Sequence, residues 1–162
     1  AEALVKHLLD TIPQFQNIGP QTTLLDVYSG VGLFSAFFAD KVGRIIAIES
    51  SPSAAEDYVV NLDAYDSIEL YEATAEAVLP SLDVKPDIVL VDPPRSGIDR
   101  RAMDALVQLN APLIVYISCD PATLARDVKR LLTAGYQLAQ ATPFDMFPQT
   151  FHIETVVMLS RI

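Results

Sequence analysis

Short apolar runs alternate with helical patterns along most of this chain, and that alternation constrains the fold more than any other feature. Five runs have the length and β-branched content of buried parallel strands: TLLDVY (23–28), RIIAIE (44–49), IELYEA (68–73), DIVLVD (87–92) and LIVYIS (113–118). Helical patterns follow at 32–42, 53–65, 75–82, 99–109 and 122–134. Regular strand-helix alternation predicts βαβ units, and therefore a parallel sheet with helices on both faces.

The last part of the chain breaks the alternation. Segments 136–147 and 151–162 follow each other without a helix, so we predict an antiparallel hairpin with a turn around Pro148. Residues 1–12 are amphipathic and predict a helix packed on the sheet. The predicted fold is α/β and Rossmann-like, with a mostly parallel seven-stranded sheet and an antiparallel C-terminal hairpin, and it resembles the class I S-adenosylmethionine-dependent methyltransferase fold. We expect residues 1–162 to form a single domain.

The helix predicted at 122–134 has clear signals at its face and its end. Leu124, Val128, Leu131 and Leu132 are spaced to lie on one apolar face, which we predict to be buried. Gly135 follows the last helical residue and is a suitable C-terminal cap.

Composition narrows the environment and the possible kinds of site. The chain carries 21 Asp and Glu against 11 Lys and Arg, for a net charge of -10. Because binding of a phosphate backbone relies on Lys and Arg, most of the attraction for an RNA partner must come from elsewhere. No stretch approaches the ~20 apolar residues of a membrane span, and the first residues lack a signal-peptide pattern. One cysteine excludes an internal disulfide, and no Cys/His spacing predicts a metal site, so we expect a cytoplasmic protein without a metal.

A glycine-rich turn follows the first predicted strand. Asp26 lies on the strand and Gly30 and Gly32 lie in the turn, where glycine allows a positive φ and the close approach of a ligand. Ser35 stands at the third glycine position of a dinucleotide-binding fingerprint, which disfavours a dinucleotide. Glu49 ends the second predicted strand, where a carboxylate can accept hydrogen bonds from ribose hydroxyls. The alternative is a simple tight turn with a solvated Glu49.

The fourth predicted strand ends in the sequence DPPR. Pro93 and Pro94 fix φ and remove two backbone donors, so Asp92 would be presented on a stiff turn. Such rigidity suits a site that holds a planar base, and related corners occur in methyltransferases that act on amino nitrogens. An ordinary strand-terminating turn is the alternative.

The only cysteine, Cys119, follows the fifth predicted strand. Asp120 is a candidate N-cap and Pro121 a favourable first helical residue, so we predict the thiol at a helix N-terminus, where the helix dipole favours a thiolate. The adjacent Asp120 carboxylate acts against that effect. Alternatively, Cys119 packs as a small apolar side chain, which is common for a free cysteine.

Three motifs taken together resemble the RNA (uracil-5-)-methyltransferase family, which forms 5-methyluridine in tRNA or ribosomal RNA: DPPRSG (92–97), SCDPATLARD (118–127) and FPQTFHIETV (147–156). The resemblance covers the whole chain, which looks like the catalytic domain of that family. It implies an RNA substrate and S-adenosyl-L-methionine as cofactor. By the same resemblance, Asp26, Tyr28, Gly30, Gly32, Glu49 and Asp92 would bind the cofactor, Cys119, Glu154 and Asp92 would be catalytic, and Pro93, Arg95 and His152 would contact the substrate.

The resemblance also implies a mechanism. Cys119 would add to uracil C6, the methyl group would pass to C5, and Glu154 would remove the C5 proton, while Asp92 would hydrogen-bond the uracil. Glu154 lies among apolar residues in the last predicted strand, a setting that suits a general base. The alternative is an edge-strand glutamate that faces water.

The chain departs from the family pattern in two respects. Ser29 replaces the cysteine of the usual Y-C-G turn, a small change that should preserve the cofactor site. The RNA-binding β-barrel domain, the iron-sulfur linker and the Q-V-N segment of family members have no counterpart in these residues, so much of the RNA binding is expected from an N-terminal domain outside this sequence. We expect a monomer. Two other functions stay open: a class I methyltransferase that acts on a nitrogen through the DPPR corner, and a non-catalytic S-adenosylmethionine-binding module.

Overall fold

Strands and helices alternate as the sequence predicts in the computed structural model, which describes residues 2–145 and 153–161. The helices are α1 (Glu2–Thr11), α2 (Leu33–Phe38), α3 (Pro52–Leu62), α4 (Ala75–Val78), α5 (Arg100–Leu109) and α6 (Pro121–Thr133), with 3-10 turns at Ile12–Gln14 and Leu79–Ser81. The strands are β1 (Thr23–Val27), β2 (Arg44–Glu49), β3 (Ile68–Glu72), β4 (Ile88–Val91), β5 (Leu113–Ser118), β6 (Gln137–Phe144) and β7 (Glu154–Ser160). No helix in these two ranges has the length and apolar character needed to cross a membrane.

The seven strands form one sheet in the order β3-β2-β1-β4-β5-β7-β6. Strands β1 to β5 pair in parallel, and β7 pairs antiparallel with both β5 and β6. The predicted fold class is therefore confirmed, including the antiparallel C-terminal hairpin, whose turn around Pro148 lies outside the described residues. Because the direction of the connections reverses between β1 and β4, the carboxyl ends of these two strands mark the place where open α/β sheets bind ligands.

Helices cover both faces of the sheet, which explains why the central strands are buried on both sides. Every residue of β4 and β5 is buried. Helices α1, α2 and α3 pack on one face through side chains such as Leu8 and Phe38. Helices α4, α5 and α6 pack on the other face through side chains such as Leu106 and Leu131. Burial of this apolar area, at about 25 cal/mol per Å², is the main favourable contribution to folding.

Two helices are shorter than their sequence patterns. Helix α4 ends at Val78 and a 3-10 turn follows, because Pro80 has no N–H with which to continue α-helical hydrogen bonding. Helix α2 ends at Phe38, and the chain then turns so that Gly43 donates its N–H to Thr22 O at 3.0 Å. A side chain at position 43 would overlap the carbonyl of Pro20, so this turn depends on glycine.

Helix α6 begins and ends where its signals predict. The Asp120 carboxylate accepts the Thr123 N–H at 2.8 Å, which makes Asp120 the N-cap, and Pro121 is the first helical residue. At the other end, Gly135 has φ +96° and donates its N–H to Leu132 O at 3.1 Å.

The predicted buried face of α6 was wrong at one position. Leu132 is 42% exposed, whereas Asp127 is completely buried. The face that meets the sheet therefore contains Leu124, Asp127 and Leu131, a spacing of three and then four residues that is as regular as the predicted one.

Candidate active site

The glycine-rich turn after β1 is built from residues with positive φ. Tyr28 has φ +66°, Gly30 +55° and Gly32 +88°. The N–H groups of Tyr28 and Ser29 both donate to Ile48 O, at 2.9 and 3.1 Å, which fixes the turn against β2. A non-glycine residue with positive φ is uncommon and often marks a functional site.

The two glycines of this turn have different surroundings. A Cβ at Gly32 would lie 2.8 Å from Leu62 Cδ1 and 2.9 Å from Tyr58 Cδ2, so Gly32 lets α3 pack closely against the turn. A Cβ at Gly30 would meet no protein atom within 4 Å. The backbone at Gly30 is therefore open to the approach of a ligand.

Glu49 ties the turn to the end of β2. Its carboxylate accepts the N–H of Gly30 at 2.8 Å and the N–H of Ser51 at 2.6 Å. The side chain is half-buried and lines the larger of two cavities described below. The alternative interpretation, a Glu49 side chain that is simply solvated, is therefore wrong. A hydrogen bond from a ribose hydroxyl to Glu49 stays a prediction.

A group of buried polar side chains lies beneath the turn. Asp26 is completely buried and accepts a hydrogen bond from Ser35 Oγ to its Oδ2 at 2.6 Å. Burial, with a smaller contribution from the charge of Glu49, raises the pKa of Asp26 to about 6, although the bond from Ser35 opposes the shift. Within the described residues, Asp26 Oδ1, Ser29 Oγ and Tyr58 OH have no hydrogen-bond partner. Buried polar atoms of this kind call for an ordered water or a bound group.

A large cavity opens at the carboxyl ends of the parallel strands. Its volume is about 720 Å³. The lining comes from the ends of β1, β2, β3 and β4, from the loop before α5 and from α6: Tyr28, Glu49, Ser50, Thr74, Ala75, Glu76, Asp92, Pro94, Ser96, Gly97, Asp99, Arg100, Arg126 and Arg130. Its place at the switch point of the sheet is the expected ligand site of this fold.

A second, smaller cavity of about 270 Å³ lies on the other side of Tyr28. Asp92 and Tyr28 line both cavities, and the smaller one is completed by Gly30, Ile117 and Glu154 among others. Two carboxyl groups from different strands, Asp92 and Glu154, thus face one mostly apolar space. The two cavities together offer room for a larger ligand beside a smaller planar one.

Asp92 has the electrostatics of a functional carboxyl group. It follows β4, and its N–H donates to Val27 O at 3.3 Å. Burial raises the pKa of Asp92 to about 7, and the nearby charges of Glu154 and Asp26 add to the shift. The shift favours the protonated form of Asp92, which can donate a hydrogen bond as well as accept one.

Cys119 and Glu154 lie at the same end of neighbouring strands. In the antiparallel β5–β7 ladder, Ser118 pairs with Thr155. Cys119 directly follows the last residue of β5, and Glu154 is the first residue of β7. Cys119 is a partly buried free thiol, although it is not part of the described lining of either cavity.

The position of β7 excludes the alternative of a solvated edge-strand glutamate. Strand β7 lies between β5 and β6, and Glu154 is half-buried against the smaller cavity.

The three tentative substrate residues have different surroundings. Pro93 is buried and Arg95 is exposed. Hydrogen bonds from Thr123 lower the pKa of Asp120, and the charge of Arg95 adds a smaller effect, so Arg95 lies near the turn that carries Cys119. His152 falls outside the described residues.

Two residues that hydrogen-bond to parts of the site were not predicted from the sequence. Ser35 was counted only as a missing glycine, but its hydroxyl is the hydrogen-bond donor to Asp26. Asp127 was passed over within the SCDPATLARD motif, although its spacing from Leu124 and Leu131 places it on the buried face. Within the described ranges, no group of three or more His, Cys, Asp or Glu side chains is arranged to hold a metal ion.

Comparison with known proteins agrees with this geometry. The family model described as tRNA (Uracil-5-)-methyltransferase matches residues 3–162. The chain belongs to that family. This membership confirms the resemblance that the DPPRSG, SCDPATLARD and FPQTFHIETV motifs carry.

Individual members of the tRNA (uracil-5-)-methyltransferase family are similar over almost the whole chain. An uncharacterized RNA methyltransferase of Lactococcus lactis is 39% identical over 161 residues, which are 96% of this chain and 35% of the relative. The crystal structure of the Pyrococcus abyssi tRNA (uracil-54, C5)-methyltransferase, in complex with S-adenosyl-L-homocysteine, is 32% identical with a TM-score of 0.79 and covers 96% of this chain and 38% of that one. The N-methyltransferase NodS of Bradyrhizobium japonicum, at 16% identity and a TM-score of 0.80, is similar in fold alone over 99% of this chain and 96% of its own. The chain spans about 35% of the length of curated relatives such as this one.

Proposed function

We propose that this chain provides the catalytic site of an S-adenosylmethionine-dependent enzyme that forms 5-methyluridine in RNA. The observation that carries the proposal is that three candidate residues lie at the same end of neighbouring strands. Asp92 follows β4, Cys119 follows β5 and Glu154 begins β7, which pairs antiparallel with β5. Asp92 and Glu154 also face the same cavity.

The larger cavity fits the proposed cofactor. S-adenosylmethionine supplies an electrophilic methyl group when it is bound. Glu49 in this cavity offers a carboxylate to the ribose hydroxyls. The open backbone at Gly30 lines the smaller cavity and allows the close approach of a ligand there. The unpartnered buried atoms of Asp26 and Ser29 beneath the turn are acceptors that suit an ammonium group or an ordered water.

Methylation at C5 needs a nucleophile because C5 of uracil is itself weakly nucleophilic. The Cys119 thiolate adds to C6, and the electrons of the C5–C6 double bond move toward C5 and O4. C5 then forms the bond to the methyl group as the bond from that methyl to sulfonium sulfur breaks. Glu154 takes the proton from C5, the C5–C6 double bond reforms, and Cys119 leaves as thiolate.

Asp92 is suited to the charge that develops on the base. Addition at C6 places negative charge on O4 of the uracil, and a protonated carboxyl group can donate a hydrogen bond to that oxygen. Because burial raises its pKa to about 7, Asp92 is suited to hold a proton for this hydrogen bond near neutral pH. Glu154 is then the carboxylate that accepts the C5 proton.

Release of tritium from RNA labelled at uridine C5 tests the proposal in the natural protein. Methyl transfer to C5 displaces the hydrogen there, so tritium should appear in water in a one-to-one ratio with methyl transfer. Cys119→Ala should abolish release. Glu154→Gln should slow release and accumulate a covalent protein–RNA adduct, because the thiol cannot leave until the C5 proton is removed.

A matched control distinguishes catalysis from a general effect of charge. Glu72 also lies at a strand end, on the opposite side of the sheet from β7, and is exposed. Glu72→Gln should release tritium at the wild-type rate. Methylated RNA that keeps all of its tritium would overturn the proposal and would point to methylation of a nitrogen. Methyl transfer by Cys119→Ala at the wild-type rate would overturn the assigned nucleophile.

A further inference from the structure

Asp127 is a fully buried charged residue to which the proposed mechanism gives no part. Its Oδ2 accepts hydrogen bonds from Ile98 N–H and Tyr116 OH, both at 2.8 Å. Its Oδ1 accepts the Arg126 Nε–H at 2.9 Å and forms an ion pair with Arg126 Nη2 at 2.9 Å. A buried carboxylate is very costly unless it is paired in this way, so the arrangement needs a reason.

The partners of Asp127 belong to the loop that carries Asp92. Arg126 Nη2 also donates to Ser96 O at 2.9 Å, so α6 holds loop 92–99 at both Ser96 and Ile98. The fit is close: Gly97 has φ +77°, and a Cβ there would overlap Arg126 and lie 2.5 Å from Asp127 Oδ2. The loop cannot move away from α6 without breaking these bonds, and its close approach to α6 depends on glycine at position 97.

Loop 92–99 and the start of α6 hold residues on the two sides of the proposed reaction centre. Asp92 is the first residue of the loop, and Ser96, Gly97 and Asp99 form part of the larger cavity wall. Cys119 lies directly before Asp120, the N-cap of α6. Tyr116, which donates to Asp127, lies on β5 three residues before Cys119.

We propose that Asp127 is a positioning residue that sets the place of Asp92 and the cavity wall relative to Cys119. The inference rests on the proposed function, since it concerns the spacing of the residues assigned there. Displacement of reacting groups by about 1 Å can cost about a hundredfold in rate. Asp127 fixes this spacing through one carboxylate that is bonded at once to the loop, to β5 and to its own helix.

A pair of tyrosines provides a matched test in the natural protein. Tyr116 and Tyr136 are both buried, belong to the same core cluster and donate one hydroxyl hydrogen bond, at 2.8 and 2.9 Å. Tyr116 donates to Asp127, whereas Tyr136 donates to Ala111 O at the opposite end of the sheet. Tyr116→Phe and Asp127→Asn are compared with Tyr136→Phe at a temperature at which all three are folded.

Two quantities are measured for each variant. The first is deuterium uptake by peptides that contain residues 92–99, which reports on the loop whether or not the protein is catalytic. The second is the single-turnover rate of methyl transfer with RNA and S-adenosylmethionine both saturating, so that weaker binding does not contribute. The account expects faster uptake in 92–99 and a tenfold or greater loss of rate in Asp127→Asn, a smaller loss in Tyr116→Phe and wild-type values in Tyr136→Phe.

The possible failures are distinct. If Asp127→Asn and Tyr136→Phe lose stability equally while uptake at 92–99 and the rate stay at wild-type values, Asp127 is only structural and the inference is overturned. If wild type methylates no uridine C5, the proposed function fails. Deuterium uptake then decides whether Asp127 holds the loop, and the positioning role in this reaction is withdrawn.

Discussion

At the scale of single residues, the unusual feature is that two carboxyl groups at the candidate site favour the protonated form in a protein that already carries a net charge of -10. Asp26 and Asp92 both have raised pKa values, and in both cases burial is the main cause. Carboxyl groups with raised pKa values lower the free energy of unfolding at neutral pH. Strong shifts of this kind, in residues beside a cavity, are typical of functional sites.

The raised pKa of Asp92 predicts how stability depends on pH. The folded state binds the Asp92 proton more tightly than the unfolded state, with a pKa of about 7 against a usual value of 3.8. The contribution of Asp92 to stability is therefore complete below pH 4 and is lost as the pH rises through 7. Between pH 5 and 8 this loss should be about 2 kcal/mol, and Asp92→Asn should remove it.

Urea unfolding of both proteins at pH 5 and pH 8 measures the effect. Asp57→Asn is the control, because Asp57 is exposed on α3 and its removal changes the net charge equally. This control should retain the wild-type loss of stability. An Asp92→Asn protein that loses as much stability as the control between the two pH values would contradict the assignment.

The two glycines of the turn after β1 should respond differently to alanine. Gly30→Ala adds a Cβ in open space at φ +55°, so it should cost about 1 to 2 kcal/mol in stability while weakening the binding of S-adenosylhomocysteine. Gly32→Ala has the same strain and also overlaps Leu62 and Tyr58, so its loss of stability should be larger. Chemical denaturation and calorimetric titration measure the two effects. Unchanged ligand affinity in Gly30→Ala would show that no ligand approaches this turn.

At the scale of helices and strands, the ends of α6 are predicted from the sequence better than its buried face is. The N-cap Asp120, the first helical residue Pro121 and the terminal Gly135 each restrict the backbone locally, so the bounds of α6 follow from them. The buried face of α6 depends on neighbours distant in sequence. A buried Asp127 becomes possible only because Ile98 and Tyr116 come to meet it, and no local pattern contains that information.

Strand pairing shows the same division. The order of apolar runs was sufficient to predict the parallel sheet and the C-terminal hairpin. The insertion of β7 between β5 and β6, which places Glu154 at the end of the sheet where Cys119 follows β5, depends on a long-range antiparallel pairing. The motifs indicate the catalytic candidates, whereas their placement at one end of the sheet follows only from the fold.

The end of α6 offers a test at this scale. Gly135 has φ +96° and closes the helix, so Gly135→Ala should destabilise the protein by about 1 kcal/mol. Gly135→Asn should cost less because Asn tolerates the left-handed region. Gly19→Ala is the control, since a Cβ at Gly19 meets nothing within 4 Å and its φ is not in that region. Equal stability of Gly135→Ala and Gly19→Ala in thermal unfolding would exclude this capping role.

At the scale of the whole molecule, the fold and the charge suggest that these residues bind the cofactor and that RNA is bound mainly elsewhere in the natural protein. The chain contains a cavity of about 720 Å³ beside the proposed reaction centre, but its net charge of -10 repels a phosphate backbone. The relatives in the family are almost three times as long, and the chain matches about 35% of their length. We expect these 162 residues to bind S-adenosylhomocysteine in a calorimetric titration and to bind a tRNA hairpin only weakly in 0.15 M salt. Submicromolar RNA affinity of the 162 residues would contradict that expectation.

The most direct test of the central claim is covalent trapping on RNA that contains 5-fluorouridine. Fluorine at C5 cannot leave as a proton, so after methyl transfer the protein should remain joined to C6 of the base. Cys119 is the chain's only cysteine, which makes a thiol adduct within these residues easy to assign by mass spectrometry. In the natural protein with S-adenosylmethionine present, the account predicts a stable adduct at Cys119 that carries one added methyl group and is absent from Cys119→Ala. A protein that methylates ordinary RNA but forms no adduct with the fluorinated RNA would contradict the account.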